Sequence, residues 1–196
     1  MPDRPTQILR AAARLIARRG VRGLRVEEVS AEAGVSTALI YYHFKGRAGL
    51  LRATLEFINQ RAVDYTDAAL KTAADPRTRL TDLLLLELRD DPEVRENSAA
   101  WGELRATAVF DPDLREQLAA ASARWADDVA NLIREAQGSG LAAPETDPEA
   151  AAERLTALVE GLSERWLSGT TALDRARALL RDAVDLEVPP PGAAPR

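Results

Sequence analysis

Most of the side chains in this 196-residue chain that suit a specific chemical task lie in residues 26–51, VEEVSAEAGVSTALIYYHFKGRAGLL. The task they suit is recognition, not bond making. Thr37 can hydrogen-bond a base edge, and Ala38 can touch a thymine methyl. Tyr41, Tyr42 and His43 reach out to phosphate distance. Lys45, Gly46 and Arg47 offer positive charge beside the free backbone N–H groups of a starting helix. Catalysis has little to draw on. The chain has no cysteine, its one histidine is His43, and no glycine-rich phosphate loop or metal-ligand spacing occurs. Its 31 acidic residues are scattered over helix exteriors, where solvated charge is the ordinary explanation. No metal, no cofactor and no enzyme is expected.

Short groups such as Thr37 read a base only if rigid elements carry them into a groove, and the flanking pattern supplies those elements. Residues 4–19 place Ile8, Ala12, Leu15 and Ile16 on one stripe, and Gly20 stops that helix. A second helix fits 26–33, with Val26, Val29 and Ala33 inward and Glu27 and Glu28 in its first turn. Gly34 ends it, and Ser36 caps a third helix over 37–43, whose apolar back is Ile40 and Phe44. Two short helices about a glycine turn make a helix-turn-helix, whose second helix fits the major groove.

The remainder also reads as helix. A long helix runs from Arg47 to about Ala73, and the next opens at Asp75-Pro76 with Leu80, Leu83, Leu84 and Leu88 in a stripe. Others follow over 93–108 and from Asp111-Pro112 to Gly138, then from Pro148 to Leu167 and over 172–186. Alanine and leucine abound and no alternating strand pattern competes, so the fold class is all-α with about nine helices. The expected division is a DNA-binding domain at 1–52, a helical body at 53–187 and a disordered tail at 188–196.

Charge follows that division. Residues 1–52 carry ten Arg and Lys against four acids, whereas the whole chain has a net charge of −5. A basic first quarter on an acidic remainder suits a polyanion partner for the first quarter alone. There is no apolar signal core and no run of eighteen apolar residues, which reads as cytoplasmic with no membrane partner.

The segment resembles the N-terminal domain of the TetR family of bacterial regulators. In that family a glycine-valine-serine turn precedes a short recognition helix ending in Tyr-x-x-Phe, then a basic residue and a leucine pair. The matching residues are Gly34, Val35, Ser36, Tyr41, Phe44, Arg47, Leu50 and Leu51, and the likeness covers about residues 6–52. It implies a DNA contact set of Arg25, Ser36, Thr37, Ala38, Leu39, Tyr41, Tyr42, His43, Lys45 and Arg47. Three positions depart from the usual pattern. Arg25 stands where a phosphate-touching Thr or Ser is frequent, so an arginine salt link replaces that contact. Leu39 replaces a smaller residue and either reads a methyl group or packs. Arg47 replaces a lysine, keeping the charge but changing its geometry.

The resemblance also implies a repressor released from a pseudo-palindromic operator by an unknown small-molecule effector, acting as a homodimer. Phe57, Arg61, Tyr65, Leu84, Leu88, Trp101, Leu104, Arg105, Phe110 and Trp125 could line the effector cavity or be plain core. With Glu87 and Glu103, their mixture of aromatic and charged groups suits a flat apolar ligand or an amphipathic one. The placement of Trp101, Phe110, Trp125 and Trp166 is similar to the betaine-regulator (BetI-like) type of C-terminal region. Two adjacent apolar helices, carrying Leu155, Leu158, Val159, Leu162, Trp166, Leu173, Ala176, Leu180 and Val184, are the expected dimer interface.

Overall fold

The computed structural model describes residues 3–70 and 75–192. Among them are nine helices and no strand: α1 Arg4–Arg19, α2 Val26–Ala33, α3 Thr37–Phe44, α4 Arg47–Leu70, α5 Pro76–Leu86, α6 Pro92–Ala108, α7 Pro112–Gly138, α8 Pro148–Leu167 and α9 Leu173–Glu187. Each punctuation mark in the sequence has its expected effect. Asp3, Asp75 and Asp147 cap α1, α5 and α8 through their carboxylates, each with proline in the first turn. Gly34 takes the left-handed conformation after α2 (φ 64°), so the Val35 N–H returns to the Ser30 carbonyl at 2.9 Å.

The chain packs as two compact units. The first comprises residues 1–63 and 95–121. Its core joins Ile8, Ala12 and Ile16 of α1 to Val29 of α2 and Ile40 of α3. Leu50, Leu51, Leu55 and Ile58 of α4, Leu104 of α6 and Leu114 of α7 complete it. The helix-turn-helix therefore packs on α6 as well as on α4. The second unit comprises residues 64–94 and 122–196. Here Leu80, Leu84 and Leu88 of α5 meet Val129 and Ile133 of α7, Leu155, Val159, Leu162 and Trp166 of α8, and Leu180 and Val184 of α9.

That second core corrects the expected dimer interface. Seven of the nine residues assigned to it, namely Leu155, Val159, Leu162, Trp166, Ala176, Leu180 and Val184, are buried within the single chain. Leu158 and Leu173 are only partly buried. An apolar stripe at helical spacing seeks an apolar neighbour, but it does not say whether that neighbour belongs to the same chain. Ordered packing also reaches into the stretch expected to be tail. Val188 is fully buried and its carbonyl accepts a hydrogen bond from Arg77, while the Pro189 carbonyl accepts the Ala143 N–H at 2.8 Å.

Candidate nucleic-acid interface and effector region

The exposed side of α3 is built from its ends inward. Ser36 Oγ accepts the Leu39 N–H at 3.3 Å and fixes where the helix begins. Ile40 is fully buried and Phe44 is half-buried against the first core, so the opposite side faces outward. That side presents Ala38, Tyr41, Tyr42 and His43, with Thr37 half-buried at its start. Tyr42 is 70% exposed and Tyr41 beside it 52% exposed. His43 meets the Tyr42 ring edge-on at 5.0 Å between centroids. Leu39 is half-buried and packs on the core, so packing is the role the structure favours for it. Arg25 is exposed and makes no ion pair among the described residues.

The junction of α3 and α4 is tighter than the sequence suggests. Lys45 ends α3 in the left-handed region (φ 60°), an unusual conformation for a residue with a side chain. Its ammonium donates to the Tyr42 carbonyl at 3.0 Å and lies 5.6 Å from the Tyr42 ring centre. Gly49 is sterically required: a Cβ there would fall 1.9 Å from the Phe44 carbonyl oxygen. The sequence reading passed over Gly49, because a lone helical glycine carries no signal of what crosses it.

Arg47 has backbone partners that its sequence position does not reveal. Its guanidinium turns inward and donates to the carbonyls of Val21 (2.6 Å) and Leu24 (3.2 Å), tying the start of α4 to the α1–α2 turn. In this arrangement it ties the start of α4 to that turn while the residue as a whole stays exposed. Val21 is held at its other backbone group too, because its N–H donates to the Glu103 carboxylate of α6 at 3.1 Å. Gly20 makes room for that carboxylate, since a Cβ there would lie 2.7 Å from it. Glu103, counted in the sequence among possible effector-binding charges, thus serves the α1–α2 turn.

Arginines of α1 pair with acids of α2: Arg14 and Arg18 with Glu32 at 3.0 Å, and Arg19 with Glu28 at 3.1 Å. The hydrogen bond from Arg14, aided by the charge of Arg18, holds the Glu32 carboxyl below its ordinary range. Asp3 is lowered chiefly by its hydrogen bonds from Thr6, with a small contribution from the nearby His43. Much of the basic charge in the first quarter therefore orients helices.

The residues expected to line an effector site divide between the units. Phe57, Arg61, Trp101, Leu104, Arg105 and Phe110 fall in the first, and Leu84, Leu88 and Trp125 in the second. Leu84, Leu88 and Leu104 are fully buried core. Phe110 is 80% exposed on the α6–α7 turn and lines no interior space of this chain. The Tyr65 side chain lies outside the described residues. Phe57 and Trp101 are partly buried against the first core, as Trp125 is against the second. Arg61 of α4 pairs with Glu96 of α6 at 3.0 Å and lies 5.7 Å from the Phe57 ring centre. Beside it Asn97, 3% exposed, donates to the Ile58 carbonyl at 3.2 Å, and its amide oxygen has no hydrogen-bond partner. Glu96 and Asn97 escaped the sequence reading, since polar residues on an apolar helix face look like interruptions until their partners are known.

These features define a helix-turn-helix DNA-binding regulator. Comparison with known proteins specifies which kind. Residues 8–54 match the tetR family of bacterial regulatory proteins, and residues 76–189 match the C-terminal region of BetI-type transcriptional repressors. The HTH-type transcriptional regulator BetI of Rhizobium meliloti (strain 1021) is 30% identical over 186 residues, 94% of this chain and 89% of its own. Among solved structures, a TetR-family regulator from Rhodococcus sp. is 48% identical with a TM-score of 0.88, covering 95% of this chain and 99% of that one. A transcriptional regulator from Saccharomonospora viridis, crystallised in complex with choline, is 32% identical with a TM-score of 0.83 over 94% and 96% of the two chains. The chain belongs to the TetR family, with a BetI-type repressor C-terminal region. It is a DNA-binding transcriptional regulator and not an enzyme.

Proposed function

We propose that the chain represses transcription as a homodimer on a pseudo-palindromic operator and is released by a small quaternary ammonium compound of the choline type. The observation that carries the DNA side is the outward face of α3, where Tyr41, Tyr42 and Lys45 stand exposed on a helix fixed by Ser36, Ile40 and Gly49. Residues 1–52 would read DNA, and residues 53–187 would bind the effector and dimerise. Thr37, Ala38 and Tyr41 would choose sequence, while Arg25, Tyr42, His43 and Lys45 would hold phosphates. Two such helices would enter successive major grooves about 34–36 Å apart. The choline complex of the Saccharomonospora viridis relative motivates the effector class, and the partly buried aromatics Phe57 and Trp101 suit it.

Two features of the described surface support a second copy. Gly161 sits within α8, where a helical glycine costs about 1 kcal/mol relative to alanine. A Cβ there would meet nothing within 4 Å of its own chain, so nothing in the monomer demands the residue. Leu186 of α9 is 65% exposed, one turn beyond Ala183 and two beyond Leu179, both partly exposed. A close helix crossing by a partner would explain both. No described helix is long and apolar enough to cross a membrane, which suits a site of action in the cytoplasm.

Fluorescence anisotropy on the DNA upstream of its own gene, in a salt series and against scrambled DNA, tests this reading. Sequence-selective binding that weakens with salt and is relieved by choline is the expected result. Binding that ignores sequence there and in a selected-oligonucleotide screen would sink it.

A further inference from the structure

The α4–α6 contact in the first unit contains a cation seat that the chain occupies with its own side chain. Phe57 offers a ring face 5.7 Å from the Arg61 guanidinium carbon, and Glu96 offers a carboxylate oxygen 3.0 Å from its nitrogen. The arginine and glutamate side chains are only 16% and 26% exposed, and the arginine is well shielded where those of the α1–α2 pairs are not. Next along α6, the Asn97 amide is oriented by its bond to the Ile58 carbonyl, which commits its nitrogen as donor. Its oxygen is then necessarily an acceptor, buried and without a hydrogen-bond partner. Buried acceptors of this kind are few in folded proteins and call for an explanation. An aromatic face, a carboxylate and an unpaired amide oxygen all favour positive charge, and none of them favours an anion.

We infer that Phe57, Glu96 and Asn97 form the subsite for the cationic group of the effector, and that Arg61 is the internal cation which the effector displaces. This rests on the effector reading above and adds a competition to it. Phe57 and Arg61 are four residues apart on one helix, so Arg61 can leave by changing rotamer while the backbone of α4 stays in place. Its departure removes the ion pair joining α4 to α6. The same α4 begins at Arg47, which holds the turn behind the reading helix. Ligand binding and the α4–α6 latch are therefore mutually exclusive uses of one seat, and that is a coupling free energy between effector and operator sites.

Competition makes an unusual demand: removing a charged residue from the site must tighten ligand binding. Choline titrated calorimetrically into the full-length protein should bind Arg61→Gln about tenfold more tightly than wild type, the scale of a shielded cation–ring contact. Glu96→Gln and Phe57→Ala should each bind it about tenfold more weakly. Arg61→Gln should also bind operator more weakly before any choline is added, and Arg61→Lys should return both properties toward wild type. Arg61→Met repeats the test should the glutamine variant melt early. Choline binding that weakens in the folded Arg61→Gln and Arg61→Met variants would overturn the competition and make Arg61 a wall of the site. Absence of choline binding in both wild type and Arg61→Gln, with operator binding intact, would overturn the seat and leave the regulator standing. Loss of selective operator binding by the wild type would instead strike the reading of function itself.

Discussion

A protein that reads DNA must hold a few side chains still while leaving them uncovered, and the proposed contacts Tyr42 and Lys45 meet both demands. Tyr42 is 70% exposed, yet its carbonyl takes the Lys45 ammonium and its ring lies beneath that charge. The double change Tyr42→Ala with Lys45→Ala should weaken operator binding by roughly 10- to 100-fold and lower the salt slope by about 1, leaving oligomeric state unchanged. Anisotropy and sedimentation measure the two properties separately. Gly49→Ala acts through the backbone. Its methyl would sit 1.9 Å from the Phe44 carbonyl, so α3 and α4 must part, at a cost of about 1–3 kcal/mol in urea unfolding and with weakened operator binding.

At the scale of elements, α1 and α2 are joined by both core and charge. Ile16 and Val29 are fully buried and supply the adhesion, while the exposed arginine–glutamate pairs align one helix on the other. The pairs make that alignment sensitive to acid. A carboxyl held low by arginine in the folded state contributes in full above its ordinary value of 4.5, and the contribution fades as pH falls through the lower folded value. Glu32→Gln should therefore lower the melting temperature at pH 7, with the difference from wild type shrinking below about pH 4. A difference independent of pH would show that Glu32 acts by packing. Glu103→Ala frees the Val21 N–H from α6. It should weaken operator binding as well as thermal stability, since Val21 is buried in the first core and its carbonyl takes the Arg47 guanidinium at the start of α4.

At the scale of the whole molecule, the proposed homodimer is assigned to the exposed face of α8 and α9. Gly161 has empty space around it within its own chain. Gly161→Leu should leave the monomer fold intact by circular dichroism and shift sedimentation from dimer to monomer. Operator affinity should fall with it, because a palindrome is read by two heads. A Gly161→Leu protein that remains dimeric would place the interface elsewhere.

Local chemistry was enough to determine the helices, their caps and which side of α3 is left exposed. Asp3, Gly34, Ser36 and Pro148 act within a few residues of their own positions, and the 3.6-residue period states which side of α3 must hide Ile40. Motif spacing alone also led to the family. Only the tertiary structure decided what each apolar stripe and each charge meets. It turned Leu155, Val159 and Leu180 into the chain's own core, set Phe110 outside, and used Arg47 and Glu103 to grip the carbonyl and the N–H of one residue, Val21. It also brought Arg61 and Glu96, 35 residues apart, into one shielded pair. Such pairings depend on contacts between distant segments, and a periodicity records only that a residue faces inward, not which neighbour it finds there.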